Sequence, residues 1–213
     1  MPKLGPKELH VWLLEDASKP GRCWQLLSPD ERKRAVRFHK KCDADGFIVR
    51  RAALRQILGG YLDVPPETVK LAYNAHGKPF LNDALGSLEF NVSHSGSVAL
   101  VAVTRDHPIG IDIEVITNDF PVTEMAPEVF SPGELARFFQ LPADAKQIEF
   151  FRTWVAKEAF LKALGKGLSI EPNTLEVNAL PVDFIKTVEG SASAISMPTC
   201  LPTKISHLHF SLS

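Results

Sequence analysis

Residues 88 to 114, "LEFNVSHSGSVALVAVTRDHPIGIDIE", are rich in β-branched residues and are broken by turn signals at Ser95-Gly96 and at Asp106 to Pro108. The pattern predicts three strands of a meander. On either side, residues 47–59 and 146–165 repeat apolar positions every three or four residues, which predicts a helix in each. The segment 117–132, "TNDFPVTEMAPEVF" and the capping sequence after it, carries prolines and apolar residues without an evident period, and reads as a loop. Helices mixed with a small sheet in each half make the chain α+β.

Two helix starts are nearly alike. "LSPDERKRAVRF" from Leu27 and "FSPGELARFFQL" from Phe130 each place Glu three residues after Ser with Pro between, a capping box with proline at the first helical position. The following helices, "VRRAALRQILG" from Val49 and "VAKEAFLKALG" from Val155, share Val, a base, Ala and a closing Leu-Gly. Two matches in the same order at nearly one offset favour an internal duplication. The chain divides near Arg105, into an N-terminal half, 1–105, and a C-terminal half, 106–213.

Bulk properties narrow the function little. The 213 residues are 45% hydrophobic, enough for a packed core, and the net charge of -1 argues against a dedicated nucleic-acid binder. Cys23, Cys42 and Cys200 are scattered and form no CxxC pair, which fits a reducing compartment and no zinc site. Val11 to Leu14 is the only uninterrupted apolar run near the N-terminus, too short for a signal peptide or a membrane span. The expected setting is the cytoplasm, without a membrane partner.

The chemistry begins at "GIDIE", residues 110–114. In a strand Asp112 and Glu114 share one face, about 7 Å apart, while Ile111 and Ile113 take the other. At an effective dielectric of about 20 the two charges oppose each other by about 2.4 kcal/mol. Either the face is washed by solvent, as on an ordinary edge strand, or a divalent cation compensates. In "FFRTWVAKEAFLKALGKG", Glu158 falls inside the apolar stripe Phe151, Trp154, Val155, Leu161, with Lys162 one turn on. A surface Glu-Lys pair would look the same. An inward carboxylate beside a lysine instead suits a metal held by three carboxylates next to a phosphate. The first half supplies cations: Arg32, Lys33, Arg34, Arg37, Lys40 and Lys41, then Arg50, Arg51 and Arg55. Lys78 stands in the glycine turn "HGKPF", and His94 ends a strand before another.

Taken in order, "GKPF", "FNVSHSG", "GIDIE" and "WVAKEAFLKALGKG", with "SPDERKRAVRF" ahead of them, resemble the surfactin-type 4'-phosphopantetheinyl transferases, in wording the KEA branch. The resemblance spans residues 28–168. It implies a pseudo-dimer of two similar α+β halves, the 4'-phosphopantetheinyl transferase fold, with coenzyme A clasped at their junction. It implies transfer of the phosphopantetheine arm of coenzyme A to a serine of an apo acyl or peptidyl carrier protein, with release of adenosine 3',5'-bisphosphate. Asp112, Glu114 and Glu158 would surround Mg2+. Arg34, Arg51, Lys78, Ser93 and His94 would contact coenzyme A, chiefly through the basic first half. Lys162 would serve the pyrophosphate, Lys157 would support the site, and Glu158 would be the base, directly or through a water. Gly46 stands where some relatives carry a basic residue. A phosphodiesterase acting on a nucleotide diphosphate would use the same carboxylates without a carrier; a non-catalytic module binding coenzyme A or a carrier is the other alternative, and the retained Asp112, Glu114, Glu158 and Lys162 speak against it. The chain is expected to act as a monomer.

Overall fold

A computed structural model describes residues 2–15, 20–82, 88–165, 169–199, 202 and 204–210. Cys200, Lys166, Gly167 and the last three residues lie outside the described residues. The first half opens with strand β1 (Glu8–Glu15), then helices α1 (Cys23–Leu26), α2 (Pro29–Ala35) and α3 (Lys41–Leu62). A short hairpin, β2 (Leu71–Tyr73) and β3 (Pro79–Leu81), precedes β4 (Leu88–Ser95) and β5 (Val98–Arg105). The second half runs β6 (Gly110–Val115), α4 (Val122–Val129), α5 (Pro132–Gln140), α6 (Ala143–Leu164), β7 (Val182–Phe184) and β8 (Ser191–Ser196). The last described strand, β9 (Lys204–Phe210), returns to the first half and pairs parallel with β1.

Two main sheets result, ordered β4-β5-β1-β9 and β6-β8-β7. Alternation along β1 sorts the core. Trp12 and Leu14 face α3, where they meet Leu54, Ile57 and Leu58, whereas Leu9, Val11 and Leu13 join Ile111, Ile113 and Ile195 in a core shared by both sheets. Strand β5 is covered on both faces, which explains its unbroken run "VALVAV". A third cluster packs α6, through Phe150, Val155 and Ala159, on α4 and on Ala192 and Ala194 of β8.

Both capping boxes are formed. Ser28 and Glu31, and Ser131 and Glu134, exchange side-chain and backbone hydrogen bonds at the starts of α2 and α5. Each cap glutamate is also buried against a cation from its own half's long helix: Arg55 Nε donates to Glu31 Oε2 at 2.7 Å, and Lys157 Nζ to Glu134 Oε2 at 2.5 Å. The echo therefore extends from local caps to buried ion pairs.

Three expectations need correction. The meander stops after β5, because β6 takes its backbone ladder from β8 and belongs to the second sheet. The segment 117–132 is not a plain loop: it contains α4, whose buried Val122, Ala126 and Val129 lie at i, i+4, i+7. Counting Ala126 as apolar restores the period. The long helices also exceed their apolar stripes, at 22 residues each, because their polar first turns give no stripe to read.

Gly110 fixes how closely α6 approaches β6. A Cβ at this position would sit 1.9 Å from Ala159 O and 2.4 Å from Ala163 N, both backbone atoms. Gly110→Ala is expected to cost about 2–3 kcal/mol through overpacking, a fall of roughly 4–12 °C in Tm. An unchanged melting temperature would show that the helix can retreat freely.

Candidate active site

The close approach at Gly110 brings Glu158 and Lys162, neighbours of Ala159 and Ala163 on α6, to the acidic face of β6. Asp112 is only 3% exposed. Its Oδ1 accepts from Lys162 Nζ at 2.5 Å and from Ser93 Oγ at 2.7 Å, while its buried Oδ2 has no hydrogen-bond partner in the protein. Ser93 also receives Lys162, at 2.9 Å. A lysine of α6 and a serine of β4 thus converge on one carboxylate of β6.

Glu114 accepts from Ser95 Oγ at 2.7 Å. Burial raises its pKa and the Asp112 charge adds to the rise, against the pull of Ser95 and Lys162. Burial likewise raises Glu158, and Asp112 and Glu114 raise it further against the pull of Lys162. These are the effects expected of acids gathered without enough cations. Among the described residues no three His, Cys, Asp or Glu side chains form a ready cage for a metal ion. The orphaned Oδ2 of Asp112 and the mutual repulsion of Glu114 and Glu158 nevertheless fit a hard divalent cation held by oxygen.

The face of β4 answers the face of β6 residue by residue. Asn91 Oδ1 accepts from Ile111 N at 2.9 Å, Ser93 donates to Asp112, and Ser95 Oγ both donates to Glu114 and accepts from Val115 N at 3.0 Å. Asn91 and Ser95 were not singled out in the sequence. Their signal was present as the alternation "NVSHS", polar at 91, 93 and 95.

Two cavities adjoin this seam. The larger, about 450 Å³, is lined by Arg34, Arg50, Arg51, Tyr73, Ser93 and His94 among others. Arg51 lies between Phe47 and Tyr73, 5.5 and 5.8 Å from their ring centres, and Arg34 lies over Phe47 at 5.3 Å. The smaller, about 290 Å³, is lined by Lys78, Asn91, Glu158 and Lys162. Gly77, Pro79 and Val92 belong to both walls, so the basic and acidic regions border one cleft.

Two expected residues lie differently. Lys157 is fully buried and donates to Val129 O at 2.7 Å as well as to Glu134. It lines neither cavity, so its support is to the packing of α5 on α6 and not to a ligand. Lys78 borders the smaller cavity, but its ammonium donates to Lys162 O at 2.6 Å and to Ile109 O at 3.1 Å. Burial lowers its pKa, and the nearby Glu89 opposes this.

Residues 108–211 match the family model described as 4'-phosphopantetheinyl transferase superfamily, and residues 18–106 match 4'-phosphopantetheinyl transferase, N-terminal. The chain is 41% identical over 184 residues to the 4'-phosphopantetheinyl transferase HetI of Nostoc sp., a match covering 84% of this chain and 77% of that protein. It is 31% identical over 157 residues to the 4'-phosphopantetheinyl transferase Sfp of Bacillus subtilis, covering 73% and 68%. With the L-aminoadipate-semialdehyde dehydrogenase-phosphopantetheinyl transferase of Homo sapiens it shares 30% over 172 residues, 74% of this chain and 54% of that protein.

The raised pKa of Glu158 sets a sign for stability. Between the unfolded and the raised folded value, the native state keeps a proton that the unfolded chain has released, so stability is full below the ordinary glutamate range and falls as pH rises through it. Glu158→Gln removes that loss. With a chelator present, its Tm is expected to exceed wild type at pH 8, by about 2–4 °C for each kcal/mol regained, and to match it at pH 4. A lower Tm at pH 8 would mean that Lys162 more than offsets the burial of this carboxylate.

Proposed function

The chain belongs to the 4'-phosphopantetheinyl transferase superfamily, and on that premise we propose that it moves 4'-phosphopantetheine from coenzyme A to a serine of an apo acyl or peptidyl carrier protein. The observation that carries this reading is the convergence of Asp112, Glu158, Lys162 and Ser93 beside an arginine-lined cavity. In this reading residues 1–105 bind the adenine and 3'-phosphate of coenzyme A, through Arg34, Arg51, Ser93 and His94. Residues 106–213 carry the metal ligands and the catalytic groups.

The serine oxygen attacks the phosphorus that bears the pantetheine arm, and the bond to the bridging oxygen breaks. Adenosine 3',5'-bisphosphate leaves and a phosphodiester forms on the carrier. Charge grows on the phosphoryl oxygens, so positioning and cations supply most of the rate. Asp112, Glu114 and Glu158 would hold Mg2+, which when bound neutralises diphosphate charge. Glu158, with its pKa raised, takes the serine proton. Lys162 stands at the pyrophosphate and offsets charge on the leaving oxygen. A monomer as the working unit is part of the same proposal. No described helix is long and apolar enough to cross a membrane, and a cytoplasmic setting is part of the same proposal.

The carrier is proposed to dock at α4. Met125 on α4 and Phe120 just before it remain 37% and 38% exposed, although the Phe120 ring also meets Phe150 and Phe151, while Val122, Ala126 and Val129 hold the helix to the core. Adaptable apolar residues that follow the acidic strand closely in the chain suit an amphipathic helix that presents the serine.

Intact mass of an apo carrier incubated with coenzyme A and magnesium should rise by one phosphopantetheine with the wild type. With Asp112→Ala it should stay unchanged, although the protein still melts cooperatively. Hydrolysis of coenzyme A without carrier modification would point to a phosphodiesterase instead. A second measurement concerns docking: Phe120→Ser with Met125→Ser should raise KM for the carrier about tenfold or more, since about 1.4 kcal/mol of apolar contact is lost. KM for coenzyme A should hold. Equal losses for both substrates would place the carrier elsewhere.

A further inference from the structure

The turn between β2 and β3 reaches across to the end of α6. Asn74 Nδ2 donates to Gly165 O at 2.8 Å, and Asn74 Oδ1 accepts from His76 N and Lys78 N, both at 2.9 Å. Gly77, at φ +80°, lets the turn close with a hydrogen bond from its amide to Asn74 O. The turn thereby presents the Lys78 ammonium to Lys162 O and Ile109 O. Those two carbonyls flank the Gly110 contact between β6 and α6. A lysine at a helix C-terminus is also favoured by the helix dipole.

We propose that Asn74 and Lys78 are positioning residues for Lys162: they latch the last turn of α6 onto the start of β6 and so set the ammonium of Lys162 against Asp112 and Ser93. The inference rests on the transferase reading for its kinetic consequence only. It departs from the expectation that Lys78 contacts coenzyme A, because two of its three donors are already committed to backbone. The same turn also walls the arginine cavity through Tyr73, Gly77 and Pro79. A donor bound in that cavity would touch the same turn.

The test compares full-length wild type, Lys78→Met, Lys78→Arg and Asn74→Ala. In Lys78→Met, kcat should fall about 100-fold, the loss expected when a catalytic group is displaced by about 1 Å. KM and the calorimetric Kd for coenzyme A should stay within about twofold. Amide exchange over residues 161–165 should accelerate about tenfold, as charged hydrogen bonds are lost. Coenzyme A should slow that exchange in the wild type and not in Lys78→Met. Lys78→Arg, which still offers two N–H groups, should recover most of the rate. Should Lys78→Met fail to fold, Asn74→Ala removes the bond to Gly165 O and the two that Asn74 Oδ1 accepts within the turn, leaves the Lys78 ammonium in place, and should show the same pattern more weakly. A Kd raised tenfold with exchange unchanged would make Lys78 a donor contact and overturn the latch, as would unaltered exchange and turnover in both variants. A wild type unable to modify any carrier would sink the transferase reading alone, since the exchange comparison needs no turnover.

Discussion

Strand β6 is held on one side by a backbone ladder to β8 and on the other by side chains alone. Asn91, Ser93 and Ser95 of β4 reach across to Ile111 N, Asp112, Glu114 and Val115 N, and no ladder joins the two strands. This seam joins the halves. A ladder between backbones would have been indifferent to side-chain identity, whereas a side-chain seam needs a donor or acceptor at every second residue. It is also why β6 can carry acids in a buried place. A carboxylate as enclosed as Asp112 is costly unless donors meet it, and Ser93 and Lys162 meet one of its oxygens.

The two halves repeat a device and then use it differently. Each has a capping box whose glutamate is buried against a cation from the long helix. In the first half the cations are arginines. Arg55 is buried and bonds Glu31 and the carbonyls of Pro66 and Val69, while Arg51 lies 3.5 Å from Glu31 and also lines the large cavity. In the second half Lys157 is spent entirely on Glu134 and Val129 O. Its neighbour Glu158 turns to the cleft instead. Two similar halves thus offer cations from one and carboxylates from the other.

What could be read beforehand was whatever local periodicity carries. Period two put Asp112 and Glu114 on one face, and period 3.6 put Glu158 and Lys162 on another. The capping boxes were equally plain, since Ser, Pro and Glu stand within three residues. Contacts across long separations were not legible. Ser93 meets Lys162 over 69 residues, and Asn74 meets Gly165 over 91. The parallel pairing of β9 with β1 is likewise invisible to any window. Gly110 looked like the first letter of a strand, and only the distance to Ala159 O shows why no side chain fits there. Lys157 misled because a lysine inside a motif invites a ligand, while its burial depends on a glutamate 23 residues earlier.

The charge balance at the cleft constrains what the acids are for. Among the described residues, one ammonium, that of Lys162, bonds Asp112 and pulls on Glu114 and Glu158, whose pKa values burial has already raised. A diphosphate brought beside three ionised carboxylates would be repelled, by about 4 kcal/mol for each pair of unit charges at 4 Å and an effective dielectric of 20. The arginines of the large cavity border a different stretch of the cleft from Glu158 and Lys162. Acids of this kind can stand beside a phosphate only if they hold protons or share a cation with it. Protonation alone would leave Asp112 Oδ2 without a partner and deprive Glu158 of its basicity. A shared divalent cation would satisfy both, and it would give the carboxylates of β6 a reason to face inward that an ordinary edge strand lacks.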